Sequence, residues 1–275
     1  MISKGLYFTE DIRVLTEKKK TFMVERSGSF TYIHFDNHRL QYGPDNHGGV
    51  TGAHLSRMVR NDVEKLVEFK QTDEYFSIDP PSVYVHQQNM NSEIGQYAVQ
   101  IDMRNCYWKT AYTLGIITKQ TYLKGLRKKE WKVGRNAAIG SLDKKTIVTY
   151  YRNGVEVDSE RYLMPRNCRY ARQLVLRKVD EMAIGIINEV CNPDEFLMFV
   201  TDCFFIKQSA ADKVRDYLSA HGYDYSEATI LINHHFPQKK MVVWDKIEVG
   251  INEKGKKTLE RVRDKFIHYT SKSII

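Results

Sequence analysis

Residues 97–108, YAVQIDMRNCYW, decide how this chain is read. YAVQID predicts a short strand that ends at Asp102, and NCYWKTAYTLGII predicts a helix directly behind it. An acid therefore stands where a strand gives way to a helix. Downstream, FLMFVTDCFFI at 196–206 reads as a near-continuous apolar strand interrupted by one acid, Asp202, and a helix over 208–221 follows, ending at Gly222. A lone carboxylate inside such a strand is costly to bury, so Asp202 needs a partner or a metal ion. Between the two acids a helical stretch over about 119–140 carries Lys119, Lys124, Arg127, Lys128, Lys129, Lys132 and Arg135 against the single acid Glu130.

Around this centre the other elements follow from local pattern. KTIVTYYRNGVEVDSERY predicts two strands about Asn153-Gly154, because that dipeptide adopts the turn a two-residue hairpin requires. Residues 168–190 place Ala171, Leu174, Val175, Val179, Met182, Ala183, Ile186 and Ile187 on one helical face, with Pro193 as a stop. Strands are expected near 228–233 and 240–250, and a basic final helix near 257–269. Towards the N-terminus, KTFMVERSGSFTYIHFD at 20–36 predicts a hairpin about Ser27-Gly28-Ser29, His38–Gly52 a loop, and residues 54–70 a helix with Leu55, Met58, Val59, Leu66, Val67 and Lys70 on one face. Asp79-Pro80-Pro81 breaks helices and marks a linker, so the N-terminal boundary falls near residue 90.

Composition bounds the class of protein. The chain has 275 residues, 42% of them hydrophobic, enough for a full core. Lysine and arginine outnumber aspartate and glutamate by 42 to 34, a net +8 that favours a polyanionic partner such as nucleic acid. No uninterrupted apolar run of transmembrane length and no apolar signal core in MISKGLYFTEDIR is present, so the expectation is an intracellular, cytoplasmic protein with no membrane partner. Cys106, Cys168, Cys191 and Cys203 form no C-x-x-C pair, which argues for reduced, mostly buried thiols rather than structural zinc. Collagen, coiled coil and solenoid lack their periods.

Two acids at strand ends with a cationic helix between them suit phosphoryl or nucleotidyl transfer. In that chemistry two carboxylates hold two divalent ions about 3.5–4 Å apart and cations neutralise the triphosphate. Three motifs in order give the pattern its closest match. Asp102-Met103-Arg104-Asn105-Cys106-Tyr107-Trp108 resembles D-x-x-S-L-Y-P, Lys132-Val133-Gly134-Arg135-Asn136-Ala137-Ala138-Ile139-Gly140 resembles K-x-x-x-N-S-x-Y-G, and Val200-Thr201-Asp202-Cys203 resembles D-T-D-S. Over about 95–245 the chain thus resembles the family B DNA polymerases, with Val200 and Ile139 as departures from the pattern.

The resemblance implies Asp102 and Asp202 as catalytic residues ligating two Mg²⁺ or Mn²⁺ ions, a role hard oxygen donors suit. It implies that Tyr107 stacks under the incoming sugar and disfavours ribonucleotides. Lys132 would meet a phosphate of the dNTP, with Arg135 beside it and Asn136 supporting the nascent pair. Gly140 would allow close approach to the base pair, and Lys239 and Lys240 after Pro237 would match the basic primer-gripping segment. The implied partners are a DNA primer-template and dNTPs. Asp62-Val63-Glu64 spells the single D-x-E of the first 95 residues. The expectation is nevertheless no proofreading exonuclease on this chain, so an exonuclease, thumb or processivity subunit would lie on another chain.

Plainer readings stand beside these. Asp102 alone would be an ordinary strand-end or capping acid, Tyr107 a helix-face aromatic and Lys132 part of a solvated basic face. Trp108 and Trp131 read as packing residues. His234-His235 and the His38, His47 and His54 group follow no metal-binding spacing.

The expected fold is therefore α+β: a polymerase palm-like antiparallel sheet backed by helices, a short fingers-like helical segment and a small N-terminal α/β appendage. The divisions are 1–90 as appendage, 91–118 as the first palm part, 119–142 as reduced fingers, 143–250 as the second palm part and 251–275 as a C-terminal helix or vestigial thumb. The expected function is a template-directed DNA polymerase without proofreading. The alternatives are a catalytically reduced palm-fold nucleic-acid-binding or scaffold protein, or one subunit of a split polymerase.

Overall fold

The computed structural model describes residues 8–27, 30–42, 49–66, 83–251, 257–268 and 273–274. In chain order its first elements are α1 (Phe8–Glu17), β1 (Phe22–Ser27), β2 (Phe30–Phe35), β3 (His38–Tyr42), α2 (Gly49–Lys65), β4 (Val83–Val85), α3 (Gln87–Ser92), β5 (Tyr97–Met103) and α4 (Cys106–Thr113). Then come α5 (Lys119–Leu126), α6 (Lys132–Gly140), β6 (Lys145–Arg152), β7 (Val155–Leu163), α7 (Arg166–Gly185), β8 (Phe196–Val200), β9 (Cys203–Ile206), α8 (Ala211–Ala220), β10 (Tyr225–Phe236), β11 (Met241–Ile251), β12 (Lys257–His268) and β13 (Ser273–Ile274). The protein is mixed α+β, with two sheets that are antiparallel except where β13 meets β4. No helix among the described residues is long and apolar enough to cross a membrane.

The chain divides into two compact units, 1–76 with 111–174 and 77–110 with 175–275. The first contains a five-stranded sheet, β3-β2-β1-β6-β7. Its apolar face, Phe22, Val24 and Ile33, is covered by Leu15 and Ile12 of α1. Asn153 and Gly154 both take positive φ, 51° and 78°, as the Asn-Gly turn between β6 and β7 demands. In the same unit α2 buries Leu55, Val59 and Val63, and Gly134 on α6 lies close to Gly52 and Leu55 of α2. Asp62 accepts from the backbone N–H of Thr118 at 2.9 Å, which fixes the start of α5.

The second unit contains an eight-stranded sheet, β12-β11-β10-β5-β9-β8-β4-β13. Alternation sends Val99, Ile101 and Met103 of β5 to one face, where they pack with Phe204 and Ile206, Val179, Met182 and Ala183 of α7, and Val214 and Leu218 of α8. Ala98 on the opposite face joins Met198, Val200, Phe205, Ile230, Ile232 and Trp244. An antiparallel sheet backed by helices is thus present around Asp102.

Several expectations are corrected. The 145–163 hairpin joins the strands of residues 22–42 in the first unit's sheet, not the sheet of Asp102, because β6 pairs along β1 from Phe22↔Tyr151 to Ser27↔Thr146. The N-terminal segment is therefore no separate appendage ending near 90, and 143–250 is not one palm segment. Residues 257–268 form a strand rather than a helix, since pairing along the whole of β11 satisfies a backbone that Lys, Arg and Glu would otherwise favour as helix. The basic stretch 119–140 breaks at Lys128, whose φ of −133° and ψ of 136° are extended, before a single tight turn at Lys129–Trp131. Lys124, Lys128 and Lys132, four residues apart, would repel one another along one face of a continuous helix there. Residues 38–42, expected in a loop, are the edge strand β3, and the following helix begins at Gly49. The Asp79-Pro80-Pro81 linker and the Ser27-Gly28-Ser29 turn beyond Ser27 lie outside the described residues, as do Val67, Lys70 and His47.

Candidate active site

The predicted strand 196–206 is two strands, β8 and β9, and the polar pair Thr201-Asp202 is the turn between them. Asp202 is therefore half-buried at a hairpin tip instead of sealed inside a strand, and its carboxylate has access to solvent. Thr201 takes a φ of 58°, and the Asp202 N–H donates to the Val200 carbonyl at 2.7 Å. The Thr201 hydroxyl donates to Asp202 Oδ1 at 2.9 Å and orients the carboxylate.

Asp102 arrives from β5. It lies on the face opposite the helices, directly across from Cys203 on β9 and Ser226 on β10. One residue further, the Met103 N–H donates to the Asp202 carbonyl at 2.9 Å, so backbone pairing locks the two acids onto neighbouring segments. The chain leaves β5 through Asn105 at a φ of 54°, which asparagine tolerates, and turns into α4. That turn carries Tyr107 back over the tip, where its hydroxyl donates to the Thr201 carbonyl at 2.9 Å. Below it, the Thr110 hydroxyl bonds the Cys106 carbonyl at 2.8 Å and meets the Tyr223 hydroxyl at 2.7 Å, anchoring α4 on the sheet.

The two thiols beside the acids register their charge. Burial pushes the Cys106 thiol well above its ordinary value, and the Asp202 and Asp102 carboxylates push it further. Burial likewise raises Cys203, again with contributions from Asp102 and Asp202, against a hydrogen bond from Gln100 Nε2 at 3.3 Å and the charge of Lys265. Both acids therefore act on both thiols, as a carboxylate pair concentrated at one end of the sheet must. Both thiols stay protonated at neutral pH.

Of the expected residues, the structure brings Asp102, Asp202 and Tyr107 together. Lys239 and Lys240 are exposed at the turn between β10 and β11, beyond Phe236, the end of β10 on the far side from Ser226. Lys132, Arg135, Asn136 and Gly140 belong to α6 in the first unit. Lys132 and Asn136 are exposed and, four residues apart, share one face of that helix. Arg135 points the other way: it is 5% exposed and donates to the Gly125 carbonyl at 2.7 Å, so it holds the α5 to α6 connection. Gly140 is exposed, with open space where a side chain would stand. Val200 and Ile139, the two departures from the motifs, are core residues at 6% and 4% exposure.

Sequence reading passed over Gln100 and Lys265, and placed Thr201 in a motif without giving it a role. Gln100 follows from strand parity with Asp102, and Thr201 from its place beside an acid between two apolar runs. Lys265 had no local signal, because its position depends on β12 being a strand. Among the described residues no group of three or more His, Cys, Asp and Glu side chains is placed to hold a metal ion. His235 is buried and meets Asn91 Oδ1 at 2.8 Å through Nδ1, a structural role. Trp108 is fully buried packing, as expected. All four cysteines are free, and only Cys203 is not fully buried.

Compared with known proteins, the chain matches no family model, no curated protein and no solved structure.

Proposed function

We propose that this chain is a template-directed DNA polymerase of family B type that adds deoxynucleotides to a primer 3′-hydroxyl. The observation that carries the reading is the convergence of Asp102, Asp202 and Tyr107 on one hairpin tip, residues chosen from separate motifs a hundred positions apart. Two carboxylates with hard oxygen donors fit Mg²⁺ or Mn²⁺, which completes its shell with water and substrate phosphates instead of a dedicated protein cage. When bound there, such ions lower the pKa of the attacking hydroxyl and neutralise charge on the phosphates.

The chain's own residues have distinct tasks in this reading. Asp102 is fixed by the strand register, and Asp202 by its turn and the Thr201 hydroxyl. Tyr107 packs against the helix-side core and commits its hydroxyl to the Thr201 carbonyl, so it would limit room beside the sugar from that side. Lys132 and Asn136 share an exposed face of α6 with the chemistry to contact phosphate and base, while Arg135 is removed from such a role by its bond to Gly125. Lys239 and Lys240, at the far end of β10 from the acids, would grip backbone phosphates upstream of the primer end.

Extension of a labelled primer on a DNA template, with dNTPs and Mg²⁺ or Mn²⁺, tests the reading. Extension by the unmodified chain that disappears in Asp102→Asn and Asp202→Asn, both still folded, is the expected result. A folded chain that binds primer-template but adds no nucleotide with either metal ends the stand-alone polymerase reading, in favour of a reduced palm-fold binding protein or a subunit of a split polymerase.

A further inference from the structure

Strand β7 is the outer edge of the first unit's sheet, and each of its nine residues is exposed. Such an edge offers a row of backbone donors and acceptors about 30 Å long, within which the Ser159 N–H donates to Asp158 Oδ1 at 2.7 Å and would have to be released for pairing. Its apolar side chains are unusually open: Val155 is 64% exposed, Val157 55%, Tyr162 49% and Leu163 48%. Pairing with β6 runs Tyr150↔Asp158 and then Tyr151↔Glu156, so Val157 is an extra, bulged residue. From there Asp158, Glu160 and Tyr162 alternate onto one face, with Ser159, Arg161 and Leu163 on the other. Glu160 accepts a hydrogen bond from the Tyr162 hydroxyl, which keeps its carboxylate on that face.

The charges decide what can pair here. In a two-fold antiparallel pairing with a second copy, a register centred on Ser159 sets Asp158 against Glu160. Centring on Asp158, Glu160 or Arg161 sets that charge against itself. Like charges directly opposite are destabilising, so the edge resists its own copy. The carboxylates also repel nucleic acid, which the rest of this +8 chain attracts. An extended segment with lysine or arginine at every second position satisfies both Asp158 and Glu160 while its apolar residues cover Val157 and Leu163.

We infer that β7 is the docking edge for a basic, extended segment of a partner protein, added to the sheet as a sixth strand with cations opposite Asp158 and Glu160. The binding mode is strand addition: backbone bonds supply affinity and the alternate charges supply selection.

The test uses the full chain and a fluorescent strand-length peptide alternating valine with lysine, and a matched peptide alternating valine with glutamate as the control. Anisotropy should show saturable binding of the lysine peptide only, with amide exchange slowed along residues 155–163. The double variant Asp158→Lys and Glu160→Lys, at exposed positions, should keep its thermal midpoint, weaken the lysine peptide by about tenfold and gain the glutamate peptide. Asp158→Asn with Glu160→Gln should fall between. Absence of saturable binding, protection elsewhere in the chain, indifference to both charge variants, or assembly of the free chain through this edge in sedimentation would each overturn the assignment.

Discussion

The Tyr107 hydroxyl donates to the main-chain carbonyl of Thr201 at 2.9 Å, so the helix behind the first acid holds the turn that carries the second. Tyr107 is thus tied to the geometry of the acid pair, beside the sugar contact proposed for it. Tyr107→Phe removes that bond alone and should slow primer extension several-fold, with a stability loss of about 1 kcal/mol or less. Tyr107→Ala should also raise ribonucleotide incorporation, measured as the ratio of rNTP to dNTP efficiency. An unchanged extension rate in the phenylalanine variant would refute the tie to the turn.

Lys132 and Arg135 lie three residues apart and should part company in mutagenesis. Lys132→Ala, at an exposed site, should leave stability within about 0.5 kcal/mol and raise the KM for dNTP. Arg135→Ala strands the Gly125 carbonyl and should cost about 1–3 kcal/mol in denaturant unfolding. The assignment fails if Arg135→Ala is as stable as Lys132→Ala.

Gly154 tests how tightly the β6 to β7 turn sits on α1. A Cβ there would collide with the Thr16 carbonyl oxygen at a φ of 78°, and the Gly154 N–H donates to the Lys20 carbonyl at 2.9 Å. Gly154→Ala should cost about 3 kcal/mol, whereas Gly115→Ala, also at positive φ but in open space, should cost about 1 kcal/mol. Comparable thermal midpoints for the two variants would contradict this packing.

Acid should destabilise the protein in two stages. Burial holds His235 below its ordinary value of 6.5, so its contribution is present above that pH and is lost as the pH falls below it, when the unfolded chain takes up the proton first. Glu195 accepts from Lys213 at 2.6 Å and from the Asn192 N–H at 2.8 Å. These bonds bring its carboxyl from 4.5 down to about 2, so its contribution is complete above 4.5 and disappears between 4.5 and about 2. Glu195→Gln should flatten the lower stage and cost about 1–2 kcal/mol near neutrality, discounted for the half-exposed Lys213. His235→Gln should flatten the upper one, as read from unfolding at stepped pH.

Local chemistry wrote much of the molecule into the sequence. The Asn153-Gly154 hairpin, the strand ending at Asp102, the helical face from Ala171 to Ile187 and the buried thiols each follow from residues within one element, whose period or turn preference needs no distant partner. The pair Asp102 and Asp202 was also legible, as acids beside apolar runs. Tertiary structure alone decided the rest. Thr201-Asp202 became a turn because β8 folds back on β9, residues 257–268 became a strand because β11 was there to pair with, and the 145–163 hairpin chose β1 over the sheet of Asp102. Arg135 turned inward because the Gly125 carbonyl needed a donor. In each case the local sequence permitted two outcomes, and the choice came from backbone groups far along the chain that only folding brings within reach.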